Sequence, residues 1–194
     1  MPLRYKFICL DAPTGGNYDE IIMTETVKDI PTDPIDPEQL RQAMRLWATG
    51  VTVITSQHEG MAHGMTVSSF TSVSLSPPQV LIALAQSTRT HELVKNSRSF
   101  GVTVLGADQQ EISDRFAGRQ PDDKDRLSGL DTFSLVSDAP LIKGGIAHFD
   151  CHVIATFTSG THTIFIGEVV AARSDLQGDP LIYFNRKYQK LAFD

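Results

Sequence analysis

The spacing of apolar residues along the chain changes near position 50. Before it, Leu40, Ala43, Met44 and Trp47 recur every three or four residues and lay one apolar stripe along a helix. Asp36 suits the N-cap of that helix and Pro37 its first turn, and Gln39 stands where a capping box needs its second partner. Gly50 is the expected stop. After it, strand signals take over. Val51-Thr52-Val53-Ile54-Thr55 is β-branched throughout. Val80-Leu81-Ile82-Ala83-Leu84-Ala85 is a continuous apolar run, expected as a fully buried strand, and Phe100-Gly101-Val102-Thr103-Val104-Leu105 repeats the pattern. Phe149, Cys151, Val153, Ala155 and Phe157 alternate at strand period, and Thr163 to Ala171 reads as the next strand. Two further helices are expected near 89–97 and 108–117. Strands outnumber helices and short turns join several of them. The pattern therefore predicts a mainly β fold, an antiparallel barrel with flanking helices.

The first 36 residues differ from the rest. Ile30-Pro31-Thr32-Asp33-Pro34-Ile35-Asp36-Pro37 reads as an extended linker, because each proline disfavours helix in the residue before it. The chain thus divides into an N-terminal arm or linker over 1–36 and one domain over 37–194, the arm either packing on the body or a partner subunit or trailing as a tail. Charge is just as uneven. Residues 1–38 hold eight acids and three bases, against fifteen and fourteen in the remainder, within a net charge of −6. No basic stripe exists, so nucleic acid is not an expected partner. The apolar runs are too short to span a membrane, and the basic residues Arg4 and Lys6 precede only a short apolar run before Asp11, so a cytoplasmic location is expected. The two cysteines, Cys9 and Cys151, show no metal-type spacing, and Cys151 reads as a small buried hydrophobe.

Three segments could carry chemistry. Met65-Thr66-Val67-Ser68-Ser69-Phe70-Thr71-Ser72 is read as a strand whose hydroxyls face both sides, and with free backbone N–H groups these suit a phosphorylated ligand. By composition alone, a solvated edge strand is the better reading. Ser87-Thr88-Arg89-Thr90 puts hydroxyls, a guanidinium and helical N–H groups at one helix start, an anion site or, more simply, an ordinary cap. Gly160-Thr161-His162-Thr163 is a turn with one histidine at a strand tip. His148 and His152 lie four apart on a strand, a poor spacing for metal, and no metal site is expected. No Ser-His-Asp pattern, phosphate loop or Gly-x-Gly-x-x-Gly fingerprint is present, so a nicotinamide cofactor would bind without a Rossmann fold.

Taken together and in order, five motifs resemble those of the short-chain flavin reductases, the reductase components of two-component flavin-dependent monooxygenases. They are Trp47-Ala48-Thr49-Gly50-Val51-Thr52-Val53-Ile54-Thr55; His63-Gly64-Met65-Thr66-Val67-Ser68-Ser69-Phe70-Thr71-Ser72-Val73-Ser74 with Pro77-Pro78; Phe116-Ala117-Gly118; Gly160-Thr161-His162-Thr163-Ile164-Phe165-Ile166-Gly167-Glu168-Val169; and Pro180-Leu181-Ile182-Tyr183-Phe184 with Arg186 and Tyr188. The resemblance covers about residues 38 to 192. It implies a flavin-binding split β-barrel, a homodimer, and hydride transfer from NADH or NADPH to FMN or FAD, with reduced flavin passed to a monooxygenase component. It also implies site residues. Thr66, Val67, Ser68, Ser69, Phe70, Ser72 and Val73 would line the isoalloxazine and ribityl side. Ser87, Thr88 and Arg89 would hold the phosphate region. His162 would orient the nicotinamide, and Arg186 and Tyr188 would help close over it. Thr161 departs from the aspartate that many members carry there, and the arm is longer than typical. The alternatives on the same barrel are a flavoprotein reducing a ferric complex or corrinoid, and a flavin- or haem-binding module without turnover.

Overall fold

The computed structural model describes residues 35–119, 125–175 and 178–191. Most of the N-terminal arm, including Cys9, lies outside them. Helix α1 (Pro37–Met44) begins as expected at Asp36, whose carboxylate accepts from the Glu38 backbone N–H at 3.0 Å. Gln39 spends its backbone N–H on the Asp36 carbonyl, and no reciprocal side-chain bond from Gln39 to the cap is formed among the described residues.

Gly50 is not the stop. Leu46 and Trp47 donate back to Ala43 and Met44, a tightened last turn that ends the helix six residues earlier than the pattern suggested. Thr49–Gly50 (β1) is already strand. The stripe of Leu40, Met44 and Trp47 is 53%, 55% and 67% exposed, so it does not face this chain's described core.

The strands follow in the order β2 (Thr52–His58), β3 (Met61–Val67), β4 (Thr71–Leu75) and β5 (Pro78–Ala85); helix α2 (Arg89–Ser97); β6 (Ser99–Val104); helix α3 (Gln110–Phe116); β7 (Thr132–Phe133), β8 (Leu141–Ile142), β9 (Ala147–Ser159), β10 (His162–Ser174), β11 (Ile182–Phe184) and β12 (Lys187–Gln189). Seven of them form one sheet, ordered β3-β2-β6-β9-β10-β5-β4, with every pairing antiparallel. Strands β3 and β4 are its opposite edges, yet only residues 68–70 join them. Four chain steps reach at most about 14 Å, so the sheet must curl until its edges approach each other. That closure makes the barrel, and β3 and β4 form its seam.

The hydroxyl-rich segment is therefore not one strand with two decorated faces. It is two edge strands and the link between them. Ser69 anchors the link to β5, donating its hydroxyl to the Ala83 carbonyl (2.8 Å) and accepting from the Ala83 N–H (3.2 Å).

The main core fills the barrel with Ile54, Val80, Ile82, Leu84, Val94, Phe100, Val102, Cys151 and Phe165. Strand β5 is not buried on both sides. Val80, Ile82 and Leu84 face the core while Leu81, Ala83 and Ala85 are half-exposed, the alternation of a sheet with one face inside. Gly167 lies at a bulge of the β9–β10 ladder, and a Cβ there would fall 2.6 Å from Phe100 Cζ. A second cluster, Val51, Val53, Leu105, Phe116, Ile142 and Leu181, packs α3 and the small β1-β11-β12 sheet onto the barrel.

Candidate active site

Two clefts open beside the seam. The larger, about 830 Å³, lies between β3, the start of α2 and the end of α3; it is lined by Met65, Thr66, Thr88, Arg89, Phe116 and Arg126, among others. Its floor depends on Gly64. A Cβ at that position would stand 2.8 Å from the Phe116 ring and 2.9 Å from Thr55 Cγ2. Only a glycine lets α3 press its phenylalanine onto the strand, which links the His63-Gly64-Met65 and Phe116-Ala117-Gly118 motifs by direct packing.

Two further side chains tie the walls together. His63 Nδ1 is 2.8 Å from Thr90 Oγ1, and Arg126 donates to the Phe116 carbonyl at 3.0 Å. Neither His63 nor Arg126 stood out in the sequence as a site residue. Arg126 follows a run of charged residues with no motif of its own, and only the fold brings it to β3.

The smaller cleft, about 430 Å³, is lined by Ser68, Ser69, Arg186, Trp47 and Tyr183. Thr66 and Ser68 are two residues apart, so at most about 7 Å of chain separates the clefts.

The expected residues divide accordingly. Thr66, Thr88 and Arg89 share the larger cleft; Ser68, Ser69 and Arg186 share the smaller. Val67 and Phe70 turn their side chains toward the core, Phe70 stacking on Phe149 with ring centres 5.5 Å apart. Ser72 and Val73 are exposed on β4, and Ser87 is exposed just before the cap. His162 is exposed at the β9–β10 turn, its Nδ1 3.0 Å from Thr161 Oγ1.

Hydroxyl chemistry is more constrained than composition implied. Thr66 Oγ1 donates to the Ser113 carbonyl at 2.7 Å. Thr88 Oγ1 donates to the Ala85 carbonyl and accepts from the His91 N–H, which makes it the N-cap of α2. Ser69 is fully occupied at the seam. The exposed hydroxyls of Ser68 and Ser87 are left uncommitted among the described residues.

Tyr188 does not swing over a cleft. Its hydroxyl bonds Ser113 Oγ (2.9 Å) and Asp114 Oδ1 (2.8 Å) on α3, and burial raises its pKa above the usual phenol range. Arg119 lies over the rings of Tyr183 and Tyr188, 6.0 and 5.7 Å from their centres, and pairs with Asp114 at 2.7 Å. The closing hairpin is thereby clasped to α3, the helix that also receives Thr66. Arg186 sits at φ 62 in the tight β11–β12 turn, beside Asn185 at φ 47.

The donor set fits a phosphorylated flavin. Arg89 and Arg126 supply cations, the start of α2 supplies backbone N–H groups, and Phe116 and Met65 supply apolar walls around a cavity of ligand size. A seam of hydroxyls and two clefts on an antiparallel barrel suit the class of flavin-binding split barrels. The chain belongs to the family described as flavin reductase like domain, whose model matches residues 44–192. It is similar to an NADH-dependent flavin reductase of a Rhodococcus species, 34% identical over 87% of this chain and 94% of that one. It is similar also to the reductase component of the 4-nitrophenol 4-monooxygenase/4-nitrocatechol 2-monooxygenase of Rhodococcus opacus, 31% identical over 86% and 88%. Among solved structures, the NADH:FAD oxidoreductase of Streptomyces globisporus C-1027, in complex with NAD and FAD fragments, superposes with a TM-score of 0.76 at 35% identity, covering 84% of this chain and 99% of that one. The split-barrel architecture expected from the motifs is the observed one.

Proposed function

We propose that this protein is an NADH-dependent flavin reductase that supplies reduced flavin to a partner monooxygenase. The observation that carries the reading is the larger cleft, where the hydroxyl-rich edge strand, a capped helix start and two arginines converge in a chain of this family. Bound flavin supplies a two-electron acceptor for hydride from the nicotinamide.

The residues supply position and field. The Thr66 hydroxyl donates its hydrogen bond to the Ser113 carbonyl, so Thr66 offers a ligand only its oxygen lone pairs and its backbone. Arg89 and the first N–H groups of α2 face the phosphate end. Ser68, Ser69, Ser72, Val73, Val67 and Phe70 shape the seam against the ring, Val67 and Phe70 by holding the backbone in place. His162 orients the nicotinamide; hydride transfer needs no base, which matches a site without a catalytic dyad. Arg186 borders the smaller cleft, and Tyr188 acts by fixing α3.

The reading extends to a homodimer, which would cover the exposed Leu40, Met44 and Trp47 stripe. It also extends to the cytoplasm. Cys151, the free cysteine among the described residues, is buried, and burial pushes its thiol pKa far up, so it is an inert core residue. No described helix is long and apolar enough to cross a membrane.

The test is oxidation of NADH or NADPH by the purified protein with added FMN or FAD, followed at the nicotinamide absorbance band. Oxidation that saturates with flavin supports the reading, and the KM values rank the two flavins and the two nicotinamides. No oxidation with any pair overturns it.

A further inference from the structure

A third cleft, about 540 Å³, lies between α2 and the β9–β10 hairpin, away from the two beside the seam. Two periodicities build it. On α2 and its C-cap, His91, Lys95 and Arg98 fall at positions i, i+4 and i+7, one face of a helix. On the hairpin, Thr156 stands opposite Phe165 and Thr158 opposite Thr163, so these four side chains share one face. Gln86, just past β5, brings its amide to 3.5 Å from Thr163 Oγ1.

The floor is buried: His91 is 9% exposed, Thr163 7% and Phe165 1%. It is also ordered, since His91 Nε2 meets Thr163 Oγ1 at 2.9 Å and its ring packs edge-on to Phe165 at 5.3 Å. Above the floor stand an ammonium, a guanidinium, two threonine hydroxyls and an amide. No carboxylate lines the cleft; Glu92, the nearest acid on α2, is exposed and lies off this face. Arg98 adds an independent sign. It occupies a left-handed C-cap at φ 57, a position where glycine costs less, and one Nη donates to the Val153 carbonyl at 3.4 Å.

We propose that this cleft is a binding site for a phosphate or diphosphate group. Two cations and several neutral donors with no competing acid are what a multiply charged oxyanion requires. The site is separate from the expected nicotinamide contact, because His162 alternates to the opposite face of β10 from Thr163. The group could belong to a dinucleotide substrate or to a free phosphorylated small molecule.

The test is calorimetric titration of inorganic pyrophosphate into the full chain and into a Lys95→Gln/Arg98→Asn variant, asparagine being tolerant of the left-handed position. At least tenfold weaker binding in the variant, with affinity falling as salt is raised, is the expected result. Lys95→Gln alone, an exposed change that leaves the C-cap intact, gives a smaller loss in the same direction and guards against misfolding of the double variant. No binding to the native chain, or equal affinity in native chain and variants, overturns the proposal. KM values then identify the source. A raised KM for NADH or FAD with that for FMN unchanged assigns the group to a dinucleotide. Unchanged KM values alongside lost pyrophosphate binding assign it to a free phosphorylated ligand. The binding measurement is independent of turnover, so its failure is distinguishable from failure of the reductase reading.

Discussion

The wall formed by β9 and β10 and the seam between β3 and β4 are both rich in β-branched residues, yet they behave as opposites. In the wall, two thirteen-residue strands exchange a long ladder, and alternate side chains such as Val153 and Phe165 sink into the core. At the seam the two strands do not pair with each other. Ser69 fastens the link between them to β5, and the clefts open where the ladder is missing. A complete ladder consumes backbone donors and leaves packing as the job of the side chains. An incomplete one leaves donors and hydroxyls for a ligand. The wall should therefore answer to substitution in stability, and the seam in ligand affinity.

The sharpest break of that contrast would come from the wall side. Phe100→Ala, at a fully buried ring pressed against Gly167, should cost about 3–5 kcal/mol in urea unfolding. A loss under about 1 kcal/mol would mean the interior is not the source of rigidity.

Gly64→Ala joins the two regions. Its Cβ meets Phe116, Thr55 and the Ile54 carbonyl at 2.8–3.0 Å, so a stability loss of about 1–3 kcal/mol is expected together with weaker flavin binding, because Phe116 lines the larger cleft. Unfolding and flavin titration on the same sample would show whether the two losses come together.

Arg89→Ala tests the larger cleft beside the seam alone. Flavin binding should weaken about tenfold, or about 1.4 kcal/mol, with Tm unchanged, since Arg89 is exposed on the first turn of α2. A Tm shift without an affinity change would reverse the contrast.

The smallest expected effect is a pH dependence at His91. Burial, and then the Lys95 charge, lower its pKa below the usual value near 6.5. The unfolded chain then binds more protons between the two values, so His91 makes stability fall as pH drops below about 6.5. His91→Gln keeps a donor near Thr163 and should flatten that part of the native profile; parallel pH profiles of the urea midpoint would show His91 silent.

Much of the fold was legible because it follows local rules. The α2 span matches the expected 89–97, the alternating strand at 149–157 lies inside β9, and the expected turn joins β9 to β10, although only Gly160 and Thr161 form it and His162 already opens β10. These elements follow from periodicity and capping alone. The errors have one cause. The end of α1, the half-exposed face of β5 and the break at 68–70 depend on what each segment meets, and that is tertiary information. Gly50 looked like a helix stop because nothing nearby signals that Thr49 and Gly50 pair with β11 across the chain. Of the residues expected at the site, Thr66 from the hydroxyl-rich segment and Thr88 and Arg89 from the α2 start share one cleft. His63 and Arg126 were not, because a histidine bonding a threonine on another element leaves no trace in spacing.

By itself, then, the sequence determined the β-rich class, the helix starts, the hydroxyl-rich segment and the family that its motifs resemble, since each is written in neighbouring residues. Only the tertiary structure decided that β3 and β4 are two edges of one curled sheet. It alone decided which hydroxyls remain uncommitted among the described residues, and that the Tyr188 hydroxyl bonds α3. Those outcomes depend on hydrogen-bond partners distant in the chain, and a hydroxyl with its donor already committed reads the same in sequence as a free one.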